Sequence, residues 1–177
     1  MKIYDCFMYF DEDTILDLRL NYLNKFVDKF IIVESKFTHR GDRRELLFNI
    51  DKYSKFKDKI KYLIVDHEPS SLQTINSDDN EGTLSKKYIL NAAKRENYQR
   101  NYILKGIEKA DLNDLILISD LDEIPNLEKI NFNNIKSKLI FFQQKMFYYK
   151  FNLHLPSVIW TGSKACKKKN LICPQWL

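Results

Sequence analysis

Apolar residues along this chain fall into short unbroken runs separated by longer amphipathic stretches. Lys2 to Phe10, Phe30 to Glu34, Tyr62 to Val65 and Leu115 to Ile118 have strand length and polar borders. After the first run, Asp11, Glu12 and Asp13 supply an acidic first turn for a helix carrying Leu16, Leu20, Leu23 and Val27 on one face. Tyr53 to Lys59 reads as a short helix, Glu68 to Gly82 as a polar loop, and Ser85 to Ala110 as a long helix. The aromatic-rich Leu139 to Tyr149 and Ser157 to Thr161 read as additional strands, antiparallel to the rest. Strands alternating with helices predict an α/β fold whose sheet is mostly parallel with right-handed crossovers, with antiparallel additions in the C-terminal third.

This rhythm gives meaning to acids that follow the strands. Glu34 follows Ile31-Ile32-Val33, Asp66 follows Leu63-Ile64-Val65, and Asp120 follows Leu115 to Ser119. Parallel strands would bring all three to one sheet edge, where α/β sheets bind ligands. For Asp66 a plain polar strand end is the better reading. Ile118-Ser119-Asp120-Leu121-Asp122 is the richest segment, because two carboxylates one residue apart suit Mg²⁺ or Mn²⁺, which in turn hold phosphates. The bland alternative is a polar turn capping the strand, with Pro125 just beyond. In the long helix, positions 89, 93, 96, 100, 103 and 107 form one stripe: Ile89, Ala93, Glu96, Arg100, Ile103 and Ile107. Its ends are apolar and its middle charged. Glu96 and Arg100 fit a simple i,i+4 salt bridge, yet an Arg on an inward stripe also suits bidentate binding of a diphosphate.

Composition narrows the class. With 177 residues, 44% of them apolar and 14% aromatic, the chain fits one domain burying roughly 70% of its unfolded surface. The net charge of +5 is spread over many Lys residues, so an anionic partner is allowed but not demanded, and no nucleic acid is expected. Cys6, Cys166 and Cys173 are odd in number and lack metal-ligand spacing, which reads as free thiols. No stretch approaches 18 apolar residues, and Asp5 interrupts a very short apolar start, so no membrane span or signal peptide is visible and a cytoplasmic location is expected.

Several segments, in order, resemble glycosyltransferase family 17. They are Asp5-Cys6-Phe7, Leu18-Arg19-Leu20 with Leu23, Ile32-Val33-Glu34-Ser35, Arg95-Glu96-Asn97-Tyr98-Gln99-Arg100-Asn101 and Ile118-Ser119-Asp120-Leu121-Asp122-Glu123-Ile124-Pro125. The resemblance implies a GT-A-like (Rossmann-like) fold and inverting transfer from a UDP-sugar, N-acetylglucosamine in the animal members, to a glycan acceptor, with Mn²⁺ or Mg²⁺ as cofactor. It implies that Asp122 is the principal metal ligand and Asp120 a ligand or donor contact. Arg95 and Arg100 would hold phosphates or orient the acidic motif, Glu96 and Asn97 would support them, and Glu34 would face the nucleoside.

The chain departs from the family pattern in two places. Thr38 and Gly41 are present after Glu34-Ser35, but Arg43-Arg44-Glu45 stands where a Lys-Pro is expected. The family also continues beyond Leu177 with a Trp-His-Phe-containing segment on the acceptor side. The chain therefore reads as a single glycosyltransferase-like domain, 1–177, without that acceptor part, with no catalytic base assigned. Aromatic surface between Phe141 and Phe151 and at Trp160 and Trp176 is then expected to be exposed, where self-association into a homo-oligomer would cover it. The rival is a catalytically incomplete nucleotide-sugar or glycan-binding module. A haloacid-dehalogenase-type phosphatase fits poorly, since Ile124 stands where its motif has Thr.

Overall fold

The computed structural model describes residues 1–177 apart from 133, 134 and 151. Four strands, β1 (Ile3–Tyr9), β2 (Lys29–Ser35), β3 (Ile60–Val65) and β4 (Leu115–Ile118), pair in parallel in the order β3-β2-β1-β4. The sheet then continues antiparallel through β8 (Lys164–Lys167) to β5 (Leu139–Phe141), making six strands. β6 (Gln144–Phe147) and β7 (His154–Trp160) form a separate two-stranded sheet.

The sheet is covered on both faces, which is why its central strands are unbroken apolar runs rather than alternating ones. Along β2, Phe30 and Ile32 join the core beneath helix α1 (Asp13–Leu23), with Leu16, Leu20 and Leu23. Ile31 and Val33 face the opposite side and pack with Ile103 and Ile107. Four of the expected strands and the α1 face are thus present, although α1 ends at Leu23 and Val27 is buried just beyond it. The short helix is a 3-10 segment, Ile50–Phe56. The cysteines are free thiols, and burial pushes Cys6 up and Cys166 up to about 11, so both stay protonated at neutral pH.

Three expectations change. The long helix is two helices, α2 (Glu81–Asn101) and α3 (Ile103–Gly106), separated at Tyr102. The stripe holds only over its C-terminal part: Ile103 and Ile107 are fully buried, whereas Ile89 is 69% exposed. Gly106 lets α3 lie close on the sheet, because a Cβ there would meet Ile31 Cγ2 at 2.2 Å. The run Leu139 to Tyr149 is divided between β5 in the main sheet and β6 in the hairpin. Finally β8 was not anticipated; Lys164 and Lys167 disguise it, while Ala165 and Cys166 between them are buried against β4. Among the described residues no helix is long and apolar enough to cross a membrane.

Candidate active site

Parallel pairing places the carboxyl ends of β1, β2 and β4 along one edge, and a cleft of about 920 Å³ opens there. Its floor is Met8, Tyr9 and Phe10, its sides the 38–42 loop and the end of α2, and its rim the turn after β4. Of the seven residues to which the resemblance gives a part in donor or metal binding, Glu96, Arg100, Asp120 and Asp122 line this cleft. Arg100 Nη2 donates to Asp120 Oδ1 at 2.9 Å and to Glu96 Oε1 at 3.3 Å, so the i,i+4 pair and the strand-end carboxylate share one guanidinium. Arg100 Nε is buried and has no hydrogen-bond partner among the described residues. Asp122 is exposed, and its carboxylate accepts no hydrogen bond from a described residue.

The other three do different work. Glu34 is fully buried and does not line the cleft. Its two oxygens accept the backbone N–H groups of Leu47 and Phe48 at 2.8 and 3.1 Å and the Tyr62 hydroxyl at 2.7 Å, and Arg44 Nη1 lies 3.0 Å away. Burial and this carboxylate push the Tyr62 phenol up, which keeps it a donor. Glu34 anchors the 36–48 segment from below and leaves no oxygen facing a nucleoside. Arg95 donates to the His39 carbonyl of the same segment at 3.2 Å and, from Nε, to Glu68 in the loop after β3 at 2.6 Å. Gly41, at φ +103°, is required there: a Cβ would lie 2.4 Å from Arg95 Nη2. Asn97 is half-buried on α2, away from the cleft lining. Asp66 sits exposed at the end of β3, paired with His67 at 2.7 Å and outside the cleft.

The acidic turn is held by residues to which pattern alone assigned no role. Ile3, Asp5, Phe7 and Tyr9 share the β1 face toward α1, and Asp5 is the single charge on it. Arg19, wholly buried on the apolar face of α1, answers it with a two-pronged pair, Nε to Oδ2 at 2.8 Å and Nη2 to Oδ1 at 2.6 Å. Its remaining donors reach the carbonyl oxygens of Asp120, Leu121 and Glu123 at 2.9, 3.0 and 3.2 Å and Ser119 Oγ at 2.6 Å. Arg19 thereby draws the backbone carbonyls of the turn inward. The clue in the sequence was a charge inside an apolar strand matched by a charge on an apolar helix face.

Glu123 closes the turn. Oε2 accepts the Asp120 N–H at 2.9 Å, and Oε1 accepts the Trp160 indole N–H at 2.7 Å. A Cβ on Gly162 would fall 1.6 Å from Oε1, so only glycine admits this arrangement. Gly162→Ala is expected to expel the Glu123 carboxylate, break both bonds, and cost about 0.5–1.5 kcal/mol for each, the net contribution of a typical hydrogen bond. Urea unfolding would measure this; a variant as stable as the parent would show that Glu123 relocates freely.

A glycosyltransferase family 17 model matches residues 1–171. The chain belongs to glycosyltransferase family 17. Over 125 residues it is 26% identical to the beta-1,4-mannosyl-glycoprotein 4-beta-N-acetylglucosaminyltransferase of Homo sapiens and equally to that of Rattus norvegicus, an alignment covering 68% of this chain and 21% of each relative. The chain thus spans only a small part of the length of the curated relatives it matches. Membership of the family points to this cleft, at the carboxyl edge of the sheet, as the place to seek a ligand. Asp120 and Asp122 offer carboxylate oxygens at an open, solvent-reached edge and are the residues that could hold a hard divalent cation, although the described residues contain no cluster of three or more His, Cys, Asp or Glu arranged for one. Two carboxylates suffice for Mg²⁺, which keeps waters and takes substrate phosphates for its other positions.

Proposed function

We propose that this family 17 protein transfers a sugar, N-acetylglucosamine by analogy with the human and rat relatives' names, from a UDP-sugar to a glycan acceptor with inversion, on a GT-A-like fold. The observation that carries the reading is the meeting of Arg100, Asp120 and Asp122 in one cleft at the carboxyl edge of the parallel sheet. Asp120 and Asp122 are the residues that would hold Mn²⁺ or Mg²⁺. Such a cation supplies positive charge against the diphosphate as it leaves.

The chain's own groups do the rest. Arg100, held toward the turn by Asp120 and Glu96, lines the cleft with a planar guanidinium of the kind that matches a phosphate. The 38–42 loop, tied to Arg95 through the His39 carbonyl, walls one side of the cleft. In a single displacement the acceptor hydroxyl oxygen bonds to the anomeric carbon as the bond to UDP breaks. The hydroxyl proton passes to a carboxylate, and the electron pair leaves with the diphosphate.

The test is calorimetric titration with UDP-sugars in Mn²⁺ or Mg²⁺, followed by measurement of free UDP. The expected result is saturable, cation-dependent binding and UDP release that a glycan acceptor accelerates. Binding with no release under any acceptor supports a nucleotide-sugar-binding module instead, and no binding of any UDP-sugar overturns the transferase reading and leaves only a glycan-binding module.

A further inference from the structure

Resting on the glycosyltransferase reading, we propose that the β6–β7 ribbon is the acceptor platform, with Trp160 as the sugar-stacking residue nearest the reacting centre. The ribbon stands apart from the main sheet, and all seven residues of β7 are exposed. A lone two-stranded ribbon is marginal by itself, and this one carries Leu155, Val158, Ile159 and Trp160 on strand β7, with Phe147 on β6. Apolar surface of this kind on a small domain marks a place where something binds.

What binds is indicated by where the ribbon is attached. Its end at Trp160 is fixed to the acidic turn, since the indole N–H donates to the same Glu123 carboxylate that caps the Asp120 N–H. The close approach at Gly162 and the Ser163 hydroxyl, which donates to the Glu123 carbonyl at 2.7 Å, complete the junction. Trp160 pairs with Gln144 and Ile159 with Lys145, so the two pairs lie on opposite faces, and the register shifts beyond Lys145, where Phe147 pairs with His154. Phe147 packs against His154 with ring centroids 5.3 Å apart at the far end of the ribbon.

The ribbon therefore carries an aromatic side chain at each end, with the Gln144 amide beside Trp160 and the His154 imidazole beside Phe147. A pyranose has the complementary character: C–H bonds of partial positive charge on one face, which rest on the negative face of an aromatic ring, and hydroxyls at its edge for polar side chains. Because Glu123 already fixes the indole, little side-chain freedom remains to be lost on stacking. A glycan whose terminal sugar stacks on Trp160 would present that sugar beside the turn that bears Asp120 and Asp122.

Trp176→Phe leaves Trp160 as the single tryptophan and makes its fluorescence the readout. The probes are tetrasaccharides of β-linked N-acetylglucosamine, glucose and mannose. At least one is expected to quench Trp160 saturably below about 10 mM. By calorimetry, Trp160→Ala should weaken that sugar about tenfold and Phe147→Ala, remote from the turn, about threefold, while UDP affinity in Mn²⁺ stays within about threefold of the parent. Quenching by none of the three, or unchanged sugar affinity in both variants, overturns the proposal. So does a dimer in light scattering that Trp160→Ala dissociates and the sugars do not compete with. If the sugar binds through Trp160 but the parent fails to bind UDP with Mn²⁺, the donor reading fails and the platform survives, so the two failures are distinguishable.

Discussion

Asp122→Asn is expected to abolish cation-dependent UDP-sugar binding and turnover while leaving the melting temperature almost unchanged. The amide keeps the size of the side chain and removes the charge that a hard cation requires. Asp122 is exposed and takes no hydrogen bond from a described residue, so the native fold has little invested in its carboxylate. The stability change should lie within about 0.5 kcal/mol. Asp120 differs, because its Oδ1 is engaged by Arg100; Asp122 is therefore the cleaner probe. Calorimetry with UDP across a Mn²⁺ series, beside a thermal melt, measures both quantities. A variant that melts normally and retains the parent's Mn²⁺ dependence removes Asp122 from the site. One that fails to fold reassigns the motif to a structural turn.

Arg19→Met should produce the largest loss of stability in the molecule, about 3–5 kcal/mol, because it leaves Asp5 charged, unpaired and buried. It also strips donors from three backbone carbonyls and from Ser119, so the turn bearing Asp120 and Asp122 loses its support from below. Adding Asp5→Leu should recover much of that stability by removing the stranded charge, whereas UDP affinity in Mn²⁺ should stay depressed because the carbonyls remain unheld. Denaturant unfolding of the two single variants and the double closes the cycle. An Arg19→Met chain within about 1 kcal/mol of the parent would contradict the buried-pair argument, and full UDP affinity in the double variant would show that the turn holds its shape without Arg19.

The exposed aromatic surface foreseen near Trp160 and Trp176 is present: Trp176 is 78% exposed and β7 is open along its length, while Phe151 lies outside the described residues. The site was legible where its residues announce themselves locally. Asp120 and Asp122 close an apolar run, and Arg100 interrupts an inward helical stripe, so strand and helix periods placed all three at one edge before any coordinates. Glu34 obeyed the same rule and gave the wrong side-chain direction. A strand end fixes where a backbone stops, and whether the carboxylate then faces a ligand or takes N–H groups from the returning chain depends on the 47–48 segment, which no period reveals.

Sequence by itself determined the alternation of strands and helices, the parallel core of four strands and the acidic turn after the fourth, because each is written in periodicities over fewer than about 20 residues. The family was likewise legible, from ordered motifs spread along nearly the whole chain. Tertiary structure alone decided the pairing of Asp5 with Arg19 and of Arg19 with a turn some hundred positions away, the insertion of β8 beside β4, and the junction of Glu123 with Trp160 and Gly162. These depend on contacts distant in the chain, in which a buried charge or a missing Cβ matters only once the surrounding atoms have closed around it.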